Sequence, residues 1–153
     1  MGYYTQQIVT EKGSEAIAKT VAKQSTLTFT SIKTGAGRYS IYEISKLSSA
    51  TELKDEKQTF DINSISSNEN TIQLTSVLTN VGVTESYEIC EIGLFAKEND
   101  GEEFLVAISL NAENPALMPV FDKVPIEMQV GDFLTVSNSE NFNIQYKSAA
   151  YVT

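Results

Sequence analysis

The longest apolar region of the sequence, residues 87–110, constrains the fold most strongly because a short polar segment divides it into two arms. Both arms are rich in β-branched and aromatic residues, which favour a pleated, half-buried surface. The segment between them, Asn99-Asp100-Gly101, is typical of a tight turn in which the glycine takes a positive φ. We therefore predict a β-hairpin at the centre of the fold.

The two arms differ in how their apolar residues alternate. The second arm alternates regularly from residue 104 to residue 110, whereas in the first arm Tyr87 and Ile89 have one parity and Ile92 and Leu94 the other. A single register would leave large side chains in solvent, at a cost of about 1.5–3 kcal/mol each. A bulge near Gly93 or burial of both faces would resolve this conflict, and either places the arm inside an assembly of strands.

Composition limits the possible classes of function. The 153 residues fit one domain, residues 1–153, and they carry a net charge of −9 with one arginine and no histidine. This acidity argues against nucleic acid as a partner, because a phosphate backbone is bound by clustered Lys and Arg. Without histidine, the commonest metal ligand and acid–base group are missing, which disfavours enzymes. Cys90 lies in the apolar arm and is interpreted as a buried structural thiol.

Targeting signals are not evident in the sequence. No apolar run reaches the roughly 18 residues that a membrane span needs, and the polar N-terminus lacks the apolar segment of a secretory signal. We therefore expect no membrane insertion, and we expect synthesis in a host cytoplasm.

The first 40 residues predict a helix followed by a strand. Thr10 is a fitting N-cap, an acid follows it in the first turn, and apolar residues recur at helical spacing up to Lys23; alternatively, Ser14 caps a shorter helix. Residues 27–32 alternate with period two, which predicts a strand. The following Gly35-Ala36-Gly37 lacks the residues that complete a phosphate-binding motif, so we interpret it as a loop that allows a turn or close backbone approach.

The rest of the chain predicts strands joined by polar loops. Residues 41–53 are ambiguous between helix and turn, residues 53–57 read as a solvated connection, and residues 111–119 as an irregular loop. A turn is expected at Gly131-Asp132. The sum of one N-terminal amphipathic helix and seven or eight closely spaced strands predicts an α+β fold, a mostly antiparallel sheet or sandwich with the helix packed on it. The expected later strands are 59–65, 71–78, 125–128, 133–136 and 142–146.

The search for chemistry gives no catalytic, cofactor or metal site. Glu88 and Glu91 could form a carboxylate pair, but strand parity sends them to opposite faces, so both are interpreted as solvated charges. The acids of residues 98–103 could attract calcium, although their spacing does not match the calcium-binding loop. Several tyrosines could stack on sugars or lie half-buried in a sheet. These tyrosines are Tyr3, Tyr4, Tyr39 and Tyr42.

Three segments, in order, support a family resemblance. The opening has a threonine-x-x-glycine helix start at Thr10 to Gly13, an Ala/Ile helix, a strand and a small glycine loop. Residues 87–95 read aromatic-x-isoleucine-x-glutamate-isoleucine-glycine-leucine-phenylalanine, the most specific of the three, and residues 121–145 follow. In order and spacing, over nearly the whole chain, these segments resemble the N-terminal domain of bacteriophage tail-collar fibre proteins.

The resemblance implies a non-enzymatic structural component of a phage or prophage virion tail. Such a tail fibre or baseplate protein attaches a fibre or receptor-binding module to the tail, has other tail or baseplate proteins as partners, and is commonly a homotrimer. We expect Tyr3 and Tyr4 to dock on a baseplate neighbour, and Tyr146 and Tyr151 to lead toward a fibre or partner. The chain is either a truncated fibre or a complete adaptor. The alternative function is a carbohydrate-binding receptor-recognition module of a phage tail.

Overall fold

The computed structural model describes residues 7–67, 70–122, 124–135 and 141–145. It confirms the α+β class, because antiparallel strands dominate and one main helix lies near the N-terminus. The helices are α1 (Glu11–Val21) and α2 (Ile41–Ile44), with a 3-10 turn at Leu47–Ser49. The strands in the described ranges are β1 (Ile8–Val9), β2 (Leu27–Gly35), β3 (Glu56–Phe60), β4 (Ser64–Ser67), β5 (Thr71–Thr79), β6 (Tyr87–Ile89), β7 (Glu91–Glu98), β8 (Phe104–Leu110), β9 (Ala116–Met118), β10 (Glu127–Thr135) and β11 (Phe142–Ile144).

The described strands form three sheets. The central sheet has the order β1-β8-β7-β2-β11, and β3 also pairs with β2, farther along the strand than β11. Its pairs are antiparallel except for β11, which runs parallel to β2. The smaller sheets are β10-β5-β4 and β6-β9. The predicted central hairpin is therefore confirmed as β7 and β8, in the middle of the largest sheet.

The parity conflict of the first arm arises because the arm contains two strands. Tyr87 and Ile89 lie in β6, which pairs with β9, whereas Ile92 and Leu94 lie in β7 of the central sheet. Every residue of β8 and the first six residues of β7 are buried, so both faces of the hairpin are covered. Burial of both faces, one of the two predicted solutions, is therefore confirmed.

A bulge is also present in the hairpin, close to the predicted position at Gly93. Leu94 pairs with Ala107 and Phe95 pairs with Leu105, which leaves Val106 as the additional residue on β8. The bulge thus lies on the second arm, where the regular alternation of the sequence gave no sign of it.

The helix α1 begins against this bulge. The Thr10 N–H donates to the carbonyl of Val106 at 2.9 Å, and Thr10 Oγ1 accepts from the Gly13 N–H at 2.9 Å while donating to the carbonyl of Leu105 at 2.7 Å. A Cβ at Gly13 would come within 3.0 Å of the Val106 Cα, so only glycine lets the helix lie this close to β8. Thr10 is therefore the N-cap, as predicted, and the alternative cap at Ser14 is wrong.

Three local predictions are wrong. The positive φ of the hairpin turn, 52°, belongs to Asn99 rather than to Gly101, and the Asn99 side chain accepts the N–H of Thr26 at 3.0 Å. No turn forms at Gly131-Asp132, because β10 pairs with β5 without interruption. The loop predicted at residues 111–119 contains β9, whose pairing with β6 stabilises a strand of only three residues.

Candidate docking surfaces

Glu91 opens β7, and its side chain is fully buried. Backbone N–H groups from the loops after β2 and before β3 surround its carboxylate: Gly37 and Asp55 donate to Oε2 at 2.8 Å, and Lys54 donates to Oε1 at 2.9 Å. The Tyr39 hydroxyl donates to Oε1 at 2.5 Å. An unpaired buried carboxylate would be strongly unfavourable, and these four donors compensate that cost.

Two glycines, one at the end of β2 and one just after it, make room for this carboxylate. A Cβ at Gly35 would lie 2.5 Å from Glu91 Oε2, and a Cβ at Gly37 would lie 2.7 Å from the Cβ of Lys54. Neither glycine has a positive φ, so close approach alone requires them. The prediction of close backbone approach in this loop is confirmed. The interpretation of Glu91 as a solvated charge is wrong, because its partners come from loops that strand alternation does not describe.

The hydrogen bonds around Glu91 serve to hold the fold together. The Tyr39 hydroxyl also accepts the Lys54 N–H at 2.9 Å, so both ends of this group are occupied. Burial, together with the hydrogen bond to Glu91, raises the pKa of Tyr39 far above its ordinary value. The tyrosine therefore stays neutral, and the network joins three distant segments. The segment 53–57, predicted to be only a solvated connection, contributes two of the four donors.

The first exposed apolar surface is α2, which directly follows this network. Ser40 and Glu43 cap α2 reciprocally, and the Lys54 Nζ lies 2.7 Å from a Glu43 carboxylate oxygen. On this short, well-anchored helix Ile41 is 88% exposed and Tyr42 is 69% exposed. We call Ile41, Tyr42 and Ile44 the α2 patch.

The second exposed apolar surface surrounds Asn80, whose own side chain is fully buried. Asn80 Oδ1 accepts the Ile126 N–H at 2.8 Å, and Asn80 Nδ2 donates to the Val120 carbonyl at 3.3 Å. The Phe121 N–H donates to the Val83 carbonyl at 3.0 Å, which adds a second link between the two loops. Several exposed apolar side chains lie on the two loops that these hydrogen bonds join, and four of them belong to residues next to or bonded to this network. We call them the Asn80 patch: Val81, Val120, Phe121 and Ile126.

Two acids of the hairpin turn, Glu98 and Glu103, have protein partners. Glu103 accepts hydrogen bonds from Thr30 and Ser31 and pairs with Lys33 at 3.0 Å, while Glu98 accepts from Ser25. Across the described ranges, no three or more His, Cys, Asp or Glu residues are placed to hold a metal ion together. Glu103 therefore links the turn to β2, and Glu98 links it to the loop before β2.

Cys90 and Glu88 lie beside Glu91 but in different surroundings. Cys90 is a free, buried thiol, as predicted, and burial raises its pKa. Glu88 is solvated, as predicted, and pairs with Arg38 at 2.9 Å. Arg38 also donates to the carbonyl of Ala112, so it links the loop after β2 to the loop after β8.

The tyrosines predicted as interface residues, Tyr3, Tyr4, Tyr146 and Tyr151, lie outside the described residues. Of the remaining candidates, Tyr39 lies in a loop and Tyr42 in α2, so their interpretation as sheet residues is wrong. Sequence reasoning missed the two patches. A buried asparagine and a four-residue helix leave no periodic signal, although the consecutive run Ile41-Tyr42 was visible.

In its described ranges the chain is a mostly antiparallel β protein with two exposed apolar patches. The N-terminal family of phage tail-collar fibre proteins matches residues 1–145, so the chain belongs to this family and is a structural component of the phage tail fibre. No curated protein and no solved structure matches the chain. Within the described ranges, the helices are all too short or too polar to cross a membrane.

Proposed function

We propose that this protein attaches a fibre or a receptor-binding module to the phage tail, without catalytic turnover, and that the Asn80 patch is the surface that docks on a tail or baseplate neighbour. The observation that carries the proposal is the pairing of exposed apolar side chains with a buried polar support. Val81 is 57% exposed, yet its neighbour Asn80 is completely buried, and both its side-chain oxygen and its side-chain nitrogen are hydrogen-bonded.

Exposed apolar side chains on a hydrogen-bonded support are better suited to binding a partner than exposed apolar side chains on a mobile loop. Apolar side chains on a mobile loop would lose conformational entropy when a partner bound them, whereas side chains on a fixed platform lose much less. Clustered exposed apolar residues also mark interaction surfaces more often than isolated ones do. Phe121 is the aromatic member of the patch and is the expected energetic centre of the contact.

An attachment protein needs a second contact for the element that it attaches. The α2 patch has the same construction as the Asn80 patch, with the buried Glu91 network as its support. We assign it to the fibre or receptor-binding side. Tyr3 and Tyr4 are proposed to add to baseplate docking, and Tyr146 and Tyr151 to lead toward the fibre. The proposed assembly is a homotrimer in which residues 1–153 act as one domain, made in the host cytoplasm.

A binding comparison tests the function. Labelled protein is offered separately to isolated tail or baseplate particles and to intact host cells. Binding to particles alone is the expected result. Binding to cells alone would overturn the proposal and favour the carbohydrate-binding alternative, for which exposed Tyr42 offers a stacking surface.

Substitutions with a matched control test whether the Asn80 patch is the surface that docks on the tail. Phe121→Ser and Val81→Ser should each weaken binding to particles by about tenfold. Leu117→Ser is the matched control, because Leu117 is also a highly exposed apolar residue but belongs to neither patch. Equal binding by Phe121→Ser and Leu117→Ser would remove the Asn80 patch from the proposal.

A further inference from the structure

The longest strand with a free edge in the described ranges is β10. It pairs with β5 over nine residues with no register shift, and no described strand pairs with its other edge. Natural proteins usually protect such an edge with lysine, proline or a bulge. The sequence of β10, EMQVGDFLT, contains neither lysine nor proline, and its continuous register excludes a bulge. Within the described residues this edge therefore lacks a lysine, a proline, a bulge and a covering strand, and its charged residues are Glu127 and Asp132.

The backbone groups of β10 that face outward can be assigned from β5. The Thr75 carbonyl accepts the Asn63 N–H at 2.7 Å, and the Val77 N–H donates to Asn63 Oδ1 at 2.7 Å, so both β5 residues direct their backbone groups toward β4. Their register partners on β10 are Gly131 and Gln129. In an antiparallel ladder these are non-hydrogen-bonded pairs, so the N–H and C=O of Gly131 and Gln129 point away from β5, toward the free edge.

No contact among the described residues requires the glycine at position 131, in the middle of this strand. Its φ is not positive, and within the described part of the chain a Cβ there would meet only the Leu74 carbonyl, at an ordinary contact distance of 3.7 Å. A glycine in a strand costs about 0.5–1 kcal/mol relative to alanine. Glycine inside a strand marks a bulge, a bend or the close approach of another backbone, and the unbroken pairing leaves the last as the best explanation.

We propose that β10 pairs with β10 of a second copy, antiparallel and about a two-fold axis at Gly131. This register uses the whole strand: Gly131 lies opposite Gly131, position 129 opposite 133, and position 127 opposite 135. No two acids lie directly opposite each other, because Glu127 lies opposite Thr135 and Asp132 opposite Val130, although the two Asp132 positions are diagonal neighbours. Two copies can therefore pair here without like charges directly opposite each other.

The two small sheets become one continuous sheet of six strands in this assembly. The contact is isologous, since the same edge contributes from both copies. It is a contact in addition to those of the homotrimer proposed above, and pairing of two such trimers would produce six copies. The inference does not depend on attachment to a tail, because it concerns the protein alone.

Sedimentation velocity over a range of concentrations tests the pairing. Wild-type protein should form species with an even number of copies. Gln129→Pro removes an N–H that faces the free edge but not one that bonds β5, so it should halve the number of copies and keep the circular dichroism spectrum. Gln129→Thr, which keeps the N–H, is the control. A monomer or an isolated trimer for wild type would overturn the proposal, as would an unchanged assembly for Gln129→Pro.

A charge-exchange experiment tests the register. Gly131→Glu and Gly131→Lys place like charges opposite each other at the two-fold axis, so each variant alone should weaken association by about tenfold. An equimolar mixture of the two should restore it, because Glu then faces Lys. If the mixture associates no better than either variant alone, position 131 does not meet itself and the two-fold register is wrong.

Discussion

The hydroxyl of Tyr39 donates a hydrogen bond of 2.5 Å to the carboxylate of Glu91, although 52 positions separate the two residues in the chain. This bond ties the loop that leads into α2 to the first residue of β7. The same carboxylate accepts two N–H groups from the loop before β3. The buried Glu91 carboxylate therefore holds in place the loops that support the α2 patch.

Replacement of Glu91 by glutamine should destabilise the fold substantially. In Glu91→Gln an amide NH₂ replaces one oxygen and faces N–H donors, which leaves buried groups unsatisfied at about 3 kcal/mol in total. Urea unfolding monitored by circular dichroism measures this change. Glu88→Gln is the matched control, because Glu88 makes only an exposed ion pair and its loss should cost less than about 1 kcal/mol. Equal effects of the two substitutions would contradict the structural role of Glu91.

Removal of the Tyr39 hydroxyl should change how stability depends on alkaline pH. Because burial and the bond to Glu91 raise the pKa of Tyr39 in the folded state, its contribution is complete below the ordinary value of 10.0 and is lost as the pH rises above it. Tyr39→Phe should lower the free energy of unfolding by about 1–2 kcal/mol at neutral pH. The difference from wild type should shrink above pH 10.0. Unfolding measured from pH 7 to 11 checks both, with the exposed Tyr42→Phe as the control.

The N-cap of α1 should be sensitive to loss of its hydroxyl. Thr10→Ala removes the acceptor of the Gly13 N–H and a donor to the Leu105 carbonyl in a fully packed site, which should cost about 1–2 kcal/mol. Thr10→Ser keeps the hydroxyl and should recover most of this loss. The midpoint of chemical unfolding distinguishes the two variants. Identical midpoints for Ala and Ser would show that the methyl group, rather than the cap, matters here.

Acid should weaken the link between the hairpin turn and β2. Burial by itself would raise the pKa of Glu103, but hydrogen bonds from Thr30 and Lys33 outweigh this effect and hold the pKa below the ordinary value of 4.5. The stabilisation is therefore present above pH 4.5 and is lost as the pH falls through the lowered pKa. In Glu103→Gln this acid-dependent loss should disappear, with an effect of up to about 1 kcal/mol. Thermal unfolding from pH 6 to 3 measures it, and Glu102→Gln should leave the wild-type profile unchanged.

The sequence predicted those parts of the fold that rest on local periodicity. The cap at Thr10, the helix, β2 and the central hairpin follow from the spacing of apolar residues and a capping side chain, and the structure contains all of them. Gly131-Asp132 misled the prediction, because these two residue types are common in turns. Nine consecutive pairs with β5 outweigh that local preference.

The candidate surfaces could not be predicted from the sequence, for a physical reason. Glu91 and Asn80 look like ordinary polar residues in the sequence, and their burial depends on partners 36 to 54 positions away. Nothing in the spacing of Gly37 or Lys54 shows that their N–H groups converge on one carboxylate. Asn99 illustrates the same limit at short range, because its positive φ is supported by Thr26 on another segment.

The parallel pairing of β11 with β2 has a mechanical consequence. Phe142 stacks on Phe29 with ring centroids 6.2 Å apart, and the Gln145 N–H donates to the Phe29 carbonyl at 2.9 Å. Tension applied to the chain after Gln145, along the strand, would load these hydrogen bonds in shear, so that they resist together instead of opening one after another. The load would then pass through β2 into β7, in the middle of the largest sheet. A force on the chain after Gln145 would therefore be carried by the largest sheet rather than by β11 alone.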